Sequence, residues 1–547
     1  MHQPEKTIAQ LFSIRNRYGK DCSIEKLKLL QALENNFPKN KTALHSLYSI
    51  LLFLLAYPDN RKVYKLASQT LQQLQQFIQS QTKIQAALYN SGITNTNLCA
   101  SFSFEIVKWM RKNYPDDIRL SEMEADDGQI SSILSVVMPK VESEILQDGN
   151  AGWKPWLMQS LKKDETLLDK LIEVFDQTNI RPEVKDELWG ALGINVEIYF
   201  SQHTCLPASL FIPYVHRSLI NKKNIGLQPT IKPVRIDLNE QQAGQIIACA
   251  RIVLMRQLRE IDPISFTSAK LVSYYQLDRG ISIALMGMVT ERRHPIDSYM
   301  GYVVFKNGLP LAYAACWILF DSARIGLNVF ADYRGGESAY IFQQVLKLHK
   351  QVYKLNRFTV DPYQLGKDNA DGIHSGAFWM YYHAGFRPIE KLQKQLATTE
   401  AKKINETPGY RTVPAILKKL AESRMEMVLK NKAVRFDAVD VSRAYAHIIN
   451  AQFNNNRKLA ETYSYKKLVN WLQLKNQHDD NMHFIVTNWA VLLFNKKMEL
   501  PETMLVKKNF KNLLAMKANG REEDYINAMQ QFVELRKFME DVATVEN

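Results

Sequence analysis

The stretch Gly301–Glu390 limits the fold of this chain more sharply than any other. Two apolar runs, GYVVF at 301–305 and LPLAYAACWILF at 309–320, flank a Lys306-Asn307-Gly308 turn and read as strands, and a third strand ends at Phe330. The loop Arg334-Gly335-Gly336-Glu337-Ser338-Ala339 then opens directly into a long helix whose apolar residues recur at helical spacing. That order suits a phosphate-bearing ligand. Free N–H groups of the loop and the first helical turn converge on one place, where the helix dipole favours an anion.

This loop, together with Phe378-Trp379-Met380-Tyr381-Tyr382-His383-Ala384-Gly385-Phe386, resembles the GNAT superfamily of acyl-CoA N-acyltransferases. The family carries a pyrophosphate loop of the form Arg/Gln-x-x-Gly-x-Gly/Ala after its fourth strand, and a later helix ending in aromatic-Tyr-x-x-x-Gly-Phe. Tyr381 stands four residues before Gly385, as the second signature asks, while Met380 stands where the family prefers an aromatic. In the loop, Glu337 replaces the first required glycine.

The resemblance covers roughly residues 230 to 390 and implies an α/β mixed sheet of GNAT type. It implies acyl-CoA, acetyl or longer, as co-substrate, an amine on a small molecule or protein as acceptor, and no metal. The thioester would lie along the fourth strand near Asn328 and Phe330, and the diphosphate on Arg334, Gly335, Gly336, Glu337, Ser338 and Ala339. Tyr381 occupies the position whose phenol protonates the departing thiolate. A base has to relieve the attacking ammonium of a proton, and Asp332, Asp321 and His374 are polar residues near that face. Imidazole changes charge near neutral pH, which selects His374. The rival expectation, favoured by Glu337, is a GNAT-like scaffold without activity that binds proteins through its helical flanks.

At 547 residues the chain is too long for one core. Its 46% hydrophobic and 23% charged residues exclude disordered and collagen-like classes. A net charge of +14 would attract phosphates in any setting, but no block of five basic residues occurs, and acidic residues are interleaved along helical segments. Solvated helix faces explain the charge better than a nucleic-acid footprint. Cys22, Cys99, Cys205, Cys249 and Cys316 are scattered without zinc spacing and read as buried thiols in a reducing compartment. No signal peptide is apparent, and the longest apolar run, Leu47–Ala56, is too short to span a bilayer, so a cytoplasmic protein is expected.

Residues 1–228 read as an all-α domain, with Thr42 capping the helix ALHSLYSILLFLLAY at 43–57 and further helices including one from Ile130 to Leu146. No fixed repeat period is present. From Gln202 to Ile236 the helical period fades and Pro207, Pro213, Pro229 and Pro233 mark a linker. The GNAT-like domain is placed at 229–400, entered by an amphipathic helix over Asn239–Glu260, and about half of the chain's 22 glycines fall between Gly280 and Gly409. An insertion at 361–369, longer than the usual family connection, offers Tyr363, Gln364, Lys367 and Asn369 to an acceptor. Residues 401–547 return to helical periodicity, including Val413–Lys430.

Overall fold

The computed structural model describes residues 3–147, 152–201, 204–220, 232–430, 432–474, 480–495 and 500–543. The expected linker at 202–236 lies partly outside them, Pro229 included. The strands, in chain order, are β1 Asn97–Ser101, β2 Ile118–Met123, β3 Ile194–Tyr199, β4 Val234–Ile236, β5 Val272–Gln276, β6 Ile281–Met286, β7 Ser298–Lys306, β8 Leu309–Leu319, β9 Ser322–Ile325, β10 Asn328–Val329, β11 Arg357–Val360, β12 Arg387–Pro388 and β13 Met425–Val428. They form a three-stranded sheet, β1-β3-β2, and a ten-stranded sheet, β12-β13-β11-β9-β8-β7-β6-β5-β4, with β10 pairing β8. Helical regions lie before and after the large sheet.

The β7-β8 hairpin is the spine of that sheet. Asn307 (φ 48°) and Gly308 (φ 78°) both take the left-handed backbone of a two-residue turn whose twist matches its strands, and Lys306 faces Leu309 across it. Strands β7 and β8 are buried almost throughout, which is why they read as unbroken apolar runs rather than alternating ones. Every pairing in the large sheet is antiparallel except β9 with β11, which the helix Ser338–Tyr353 connects.

The flanks differ from the expected all-helical domains. Strand β3 alternates buried Ile194, Val196 and Ile198 with half-buried Asn195, Glu197 and Tyr199 and pairs β1 and β2, so the N-terminal region carries a small sheet. Its core, which includes Phe104, Phe175 and Trp189, is separate. The first helices, by contrast, share the large sheet's core through residues such as Leu47, Leu51 and Phe53. Asn40, not Thr42, caps the helix Lys41–Ala56 by accepting from the Ala43 N–H. The helix expected over Ile130–Leu146 is two, Asp127–Val137 and Lys140–Gln147, because Pro139 cannot supply an interior N–H. The helix expected over Val413–Lys430 stops at Leu420, and β13 follows, with Met425 and Met427 buried on one side.

Two buried ionic clusters fasten these parts. Glu337 sits at the N-terminus of Ser338–Tyr353, 1% exposed, between the Arg279 guanidinium and the Lys306 ammonium (3.0 Å), and accepts from the Ile220 N–H at 2.9 Å. Burial alone would raise its carboxyl, but Lys306, Arg279 and the Ile220 N–H hold it below the usual range. The C-terminal helices are fastened by Glu522, which accepts from Lys517 at 2.8 Å and from the Ser298 hydroxyl at 2.6 Å, while Lys517 also donates to the Asp297 carbonyl at 2.9 Å. Cys249 and Cys316 are buried as expected, whereas Cys22 and Cys99 are half-buried and Cys205 is exposed, all as free thiols. Among the described residues no helix is long and apolar enough to cross a membrane.

Glu337→Gln leaves two buried cations facing an amide and should cost about 3–5 kcal/mol in denaturant unfolding. Because the folded carboxyl lies below its unfolded value, the stabilisation is complete above the unfolded value and is lost as pH falls through the folded one. The variant's stability should therefore fall less steeply on acidification than the wild type's. Gly308→Ala places a methyl 2.4 Å from the Phe211 ring at a φ of 78°; a stability loss of about 1–3 kcal/mol is expected, measurable by the same unfolding.

Candidate functional site

The parallel pair β9-β11 is registered only as far as Arg324 facing Thr359. Beyond it β9 ends at Ile325, the chain is irregular at Gly326-Leu327, and β10 resumes pairing with β8 through Asn328 opposite Tyr313. Two backbone groups at this irregularity meet phenols: the Tyr302 hydroxyl donates to the Gly326 carbonyl, and the Leu327 N–H donates to the Tyr381 hydroxyl at 3.2 Å.

Tyr381 is carried by the helix Ala377–Ala384, which Gly385 (φ 112°) terminates. Its ring is fully buried and meets Phe342 edge-on at 5.1 Å, but its oxygen is not left in hydrocarbon, since it also donates to Gln364 Oε1 at 3.4 Å. Burial pushes the phenol's pKa up, opposed by the Leu327 N–H, so Tyr381 stays protonated at neutral pH. Gln364 comes from the 361–369 insertion. Its amide packs on the irregular strand, 2.9 Å from where a Cβ on Gly326 would stand. Asn369 caps the helix Ala370–Ser375, and Tyr363 is exposed.

The glycine loop is built differently from the expectation. After the turn Ala331–Tyr333, Gly335 takes φ 87°, and helix geometry leaves the N–H groups of Ser338, Ala339 and Tyr340 without intrahelical acceptors. Arg334 and Gly335 are exposed, and Gly336, Ser338 and Ala339 are half-buried. Arg334 pairs with Asp371 at 2.7 Å, so a phosphate there competes with a carboxylate. Tyr57, from the end of the first helical region, covers Gly336: its ring lies 2.6 Å from a Cβ placed there, and its hydroxyl accepts from the Glu337 N–H at 3.4 Å. The Glu337 side chain points inward, away from solvent, with its charge balanced by Arg279 and Lys306.

Asn328 is half-buried on β10. Phe330 is buried and stacks on Tyr313 with centroids 5.3 Å apart. His374 is exposed on the helix Ala370–Ser375, and no hydrogen bond among the described residues joins it to Tyr381. The other carboxylates are committed to structure. Asp321 accepts from the Val434 N–H at 3.0 Å and from Asn356 at 2.9 Å, and Asp332 accepts from the Ser49 hydroxyl. Sequence reasoning missed Gly326 and Tyr57, and gave Gln364 a different task; a glycine beside a strand end was the one local signal of the irregularity. No group of three or more His, Cys, Asp or Glu suited to a metal occurs among the described residues. The chain matches no family model, no curated protein and no solved structure.

Proposed function

We propose that the large sheet and its helices form an acyl-CoA-dependent N-acyltransferase of GNAT type, acting on an amine in the cytoplasm. The observation that carries this reading is the meeting of the Leu327 N–H and the Tyr381 hydroxyl just past the end of the parallel pairing of β9 with β11. A thioester laid along residues 326–330 would take the Leu327 N–H from the Tyr381 oxygen for its carbonyl and bring its sulfur near a phenol that is protonated at neutral pH. The amine attacks the thioester carbon, the C–N bond forms, the C–S bond breaks, and Tyr381 gives its proton to the thiolate. Water accepts the ammonium proton before attack, and the second proton lost by the nitrogen as the amide forms restores the Tyr381 phenol. Gln364 has to swing off Gly326 for the acyl chain to enter, and Arg334 has to exchange Asp371 for the diphosphate.

The cover of Tyr57 over Gly336 favours a second reading, in which the same fold serves as an inactive scaffold that binds proteins through its helical regions. Calorimetry with acetyl-CoA and longer acyl-CoAs separates the two. Saturable heat with any of them is expected; no heat and no thermal shift across the series leaves the scaffold. With a panel of primary amines, Tyr381→Phe should lower release of free CoA thiol by about 10²-fold or more, with acyl-CoA affinity nearly unchanged. An unaltered rate would remove Tyr381 from the chemistry.

A further inference from the structure

The opposite face of the large sheet holds a site that the acyltransfer reading does not use. Cross-strand register sets Tyr299 of β7 beside Trp317 of β8, Trp317 beside Arg324 of β9, and Arg324 beside Thr359 of β11. Strand alternation puts this row on the side away from Tyr302, whose ring meets His349 of the helix Ser338–Tyr353 edge-on at 4.9 Å. The row is a stack. Trp317 and Tyr299 lie 4.3 Å apart at 15°, His294 continues the stack on Tyr299 at 5.4 Å and 24°, and the Arg324 guanidinium lies 4.5 Å from the Trp317 ring centre.

Such stacks normally disappear under a layer of helices, but here the layer stands off. The helix Ala438–Phe453 and the start of Arg457–Leu472 leave a cavity of about 570 Å³, lined by His294, Trp317 and Arg324 on the sheet side and by Ser442, Tyr445 and Arg457 on the helix side. That volume is in the range of small-molecule sites. The cations outnumber the lining acid, Asp297, which is already engaged by His294 at 3.2 Å. Arg324 meets Asp361 at 3.2 Å through one nitrogen, and a guanidinium carries five N–H donors. Flat rings offer stacking, and an arginine held beside them offers a fixed charge, a pairing that selects a ligand with both a π-face and a negative group.

We propose that this cavity binds a small molecule with a flat ring bearing an anionic group, phosphate or carboxylate, with the ring against Tyr445 and the edge of Trp317 and the anion on Arg324 and Arg457. Two sources share that chemistry, nucleotides and aromatic acids. Titrating the full-length protein by calorimetry with adenosine 5′-monophosphate and with 4-hydroxybenzoate, without any acyl-CoA, tests the site separately from the transferase reading. At least one should bind with a dissociation constant below about 1 mM, and which one does names the source. Adenosine, which lacks the charge, and inorganic phosphate, which lacks the ring, should each bind at least about tenfold more weakly than the better probe.

Arg324→Gln should weaken the better probe by about tenfold or more. Ser442→Trp fills the cavity from an exposed position on the helix Ala438–Phe453 and should abolish binding, with unfolding temperature as the check that both variants are folded. No saturable binding of either probe by the wild type overturns the proposal. So does binding that survives Ser442→Trp in the folded variant.

Discussion

The buried carboxylate of Glu337 is the constraint on which the assembly depends. It draws together Arg279 from the β5-β6 turn, Lys306 from the end of β7, Ile220 from the incoming segment and, through its own N–H, Tyr57 from the first helices. Each element delivers a group whose burial alone would be costly. Burial pushes the Lys306 ammonium down to about 8 and, with Lys306 close by, the neighbouring His216 down to about 3, so His216 is neutral while Lys306 keeps its charge at neutral pH. Taken singly these are penalties; brought together they become mutual partners, and the geometry that satisfies all of them is narrow. The helix Ser338–Tyr353 is therefore fixed in position by its N-cap residue, and that position sets where its N-terminus faces.

The same residue accounts for the departure in the glycine loop. A glycine there would leave Arg279 and Lys306 buried without a counter-charge, so in this chain the position serves the joint between the sheet and the N-terminal helices. The joint brings Tyr57 over Gly336 and leaves the outer side of the loop, with Arg334 and Gly335, open. The acyltransfer we propose rests on the strand irregularity rather than on the loop, because Leu327 and Tyr381 meet there independently of Glu337.

At the other end of the molecule Glu522 and Lys517 do for the C-terminal helices what Glu337 does for the N-terminal ones. Their anchor points on the sheet, Asp297 and Ser298, lie at the start of β7, next to the Tyr299 and Trp317 stack. The cavity over Trp317 lies beside these anchor points, between the sheet and the helix Ala438–Phe453.

Much of the fold was legible. The hairpin at Asn307-Gly308, the strand, glycine loop and helix order, and the helical flanks all follow from local periodicity and turn chemistry, which act over a few residues. Short strands were harder. β13 and the small sheet of β1, β2 and β3 are four to six residues each, and their alternation is clear only once partners are known. Of the site, Tyr381 could be singled out by its spacing from Gly385, but its surroundings could not. Gln364 lies 17 residues from the phenol it contacts, Tyr57 lies 280 residues from the N–H it accepts from, and Trp317 meets a wall built beyond residue 437. The sequence by itself determined which segments become strands and helices, because that depends on neighbours along the chain. Only the tertiary structure decided that Glu337 faces inward, that Gln364 fills the opening and that a cavity survives over Trp317, because each depends on groups that share no local pattern and meet through burial and charge.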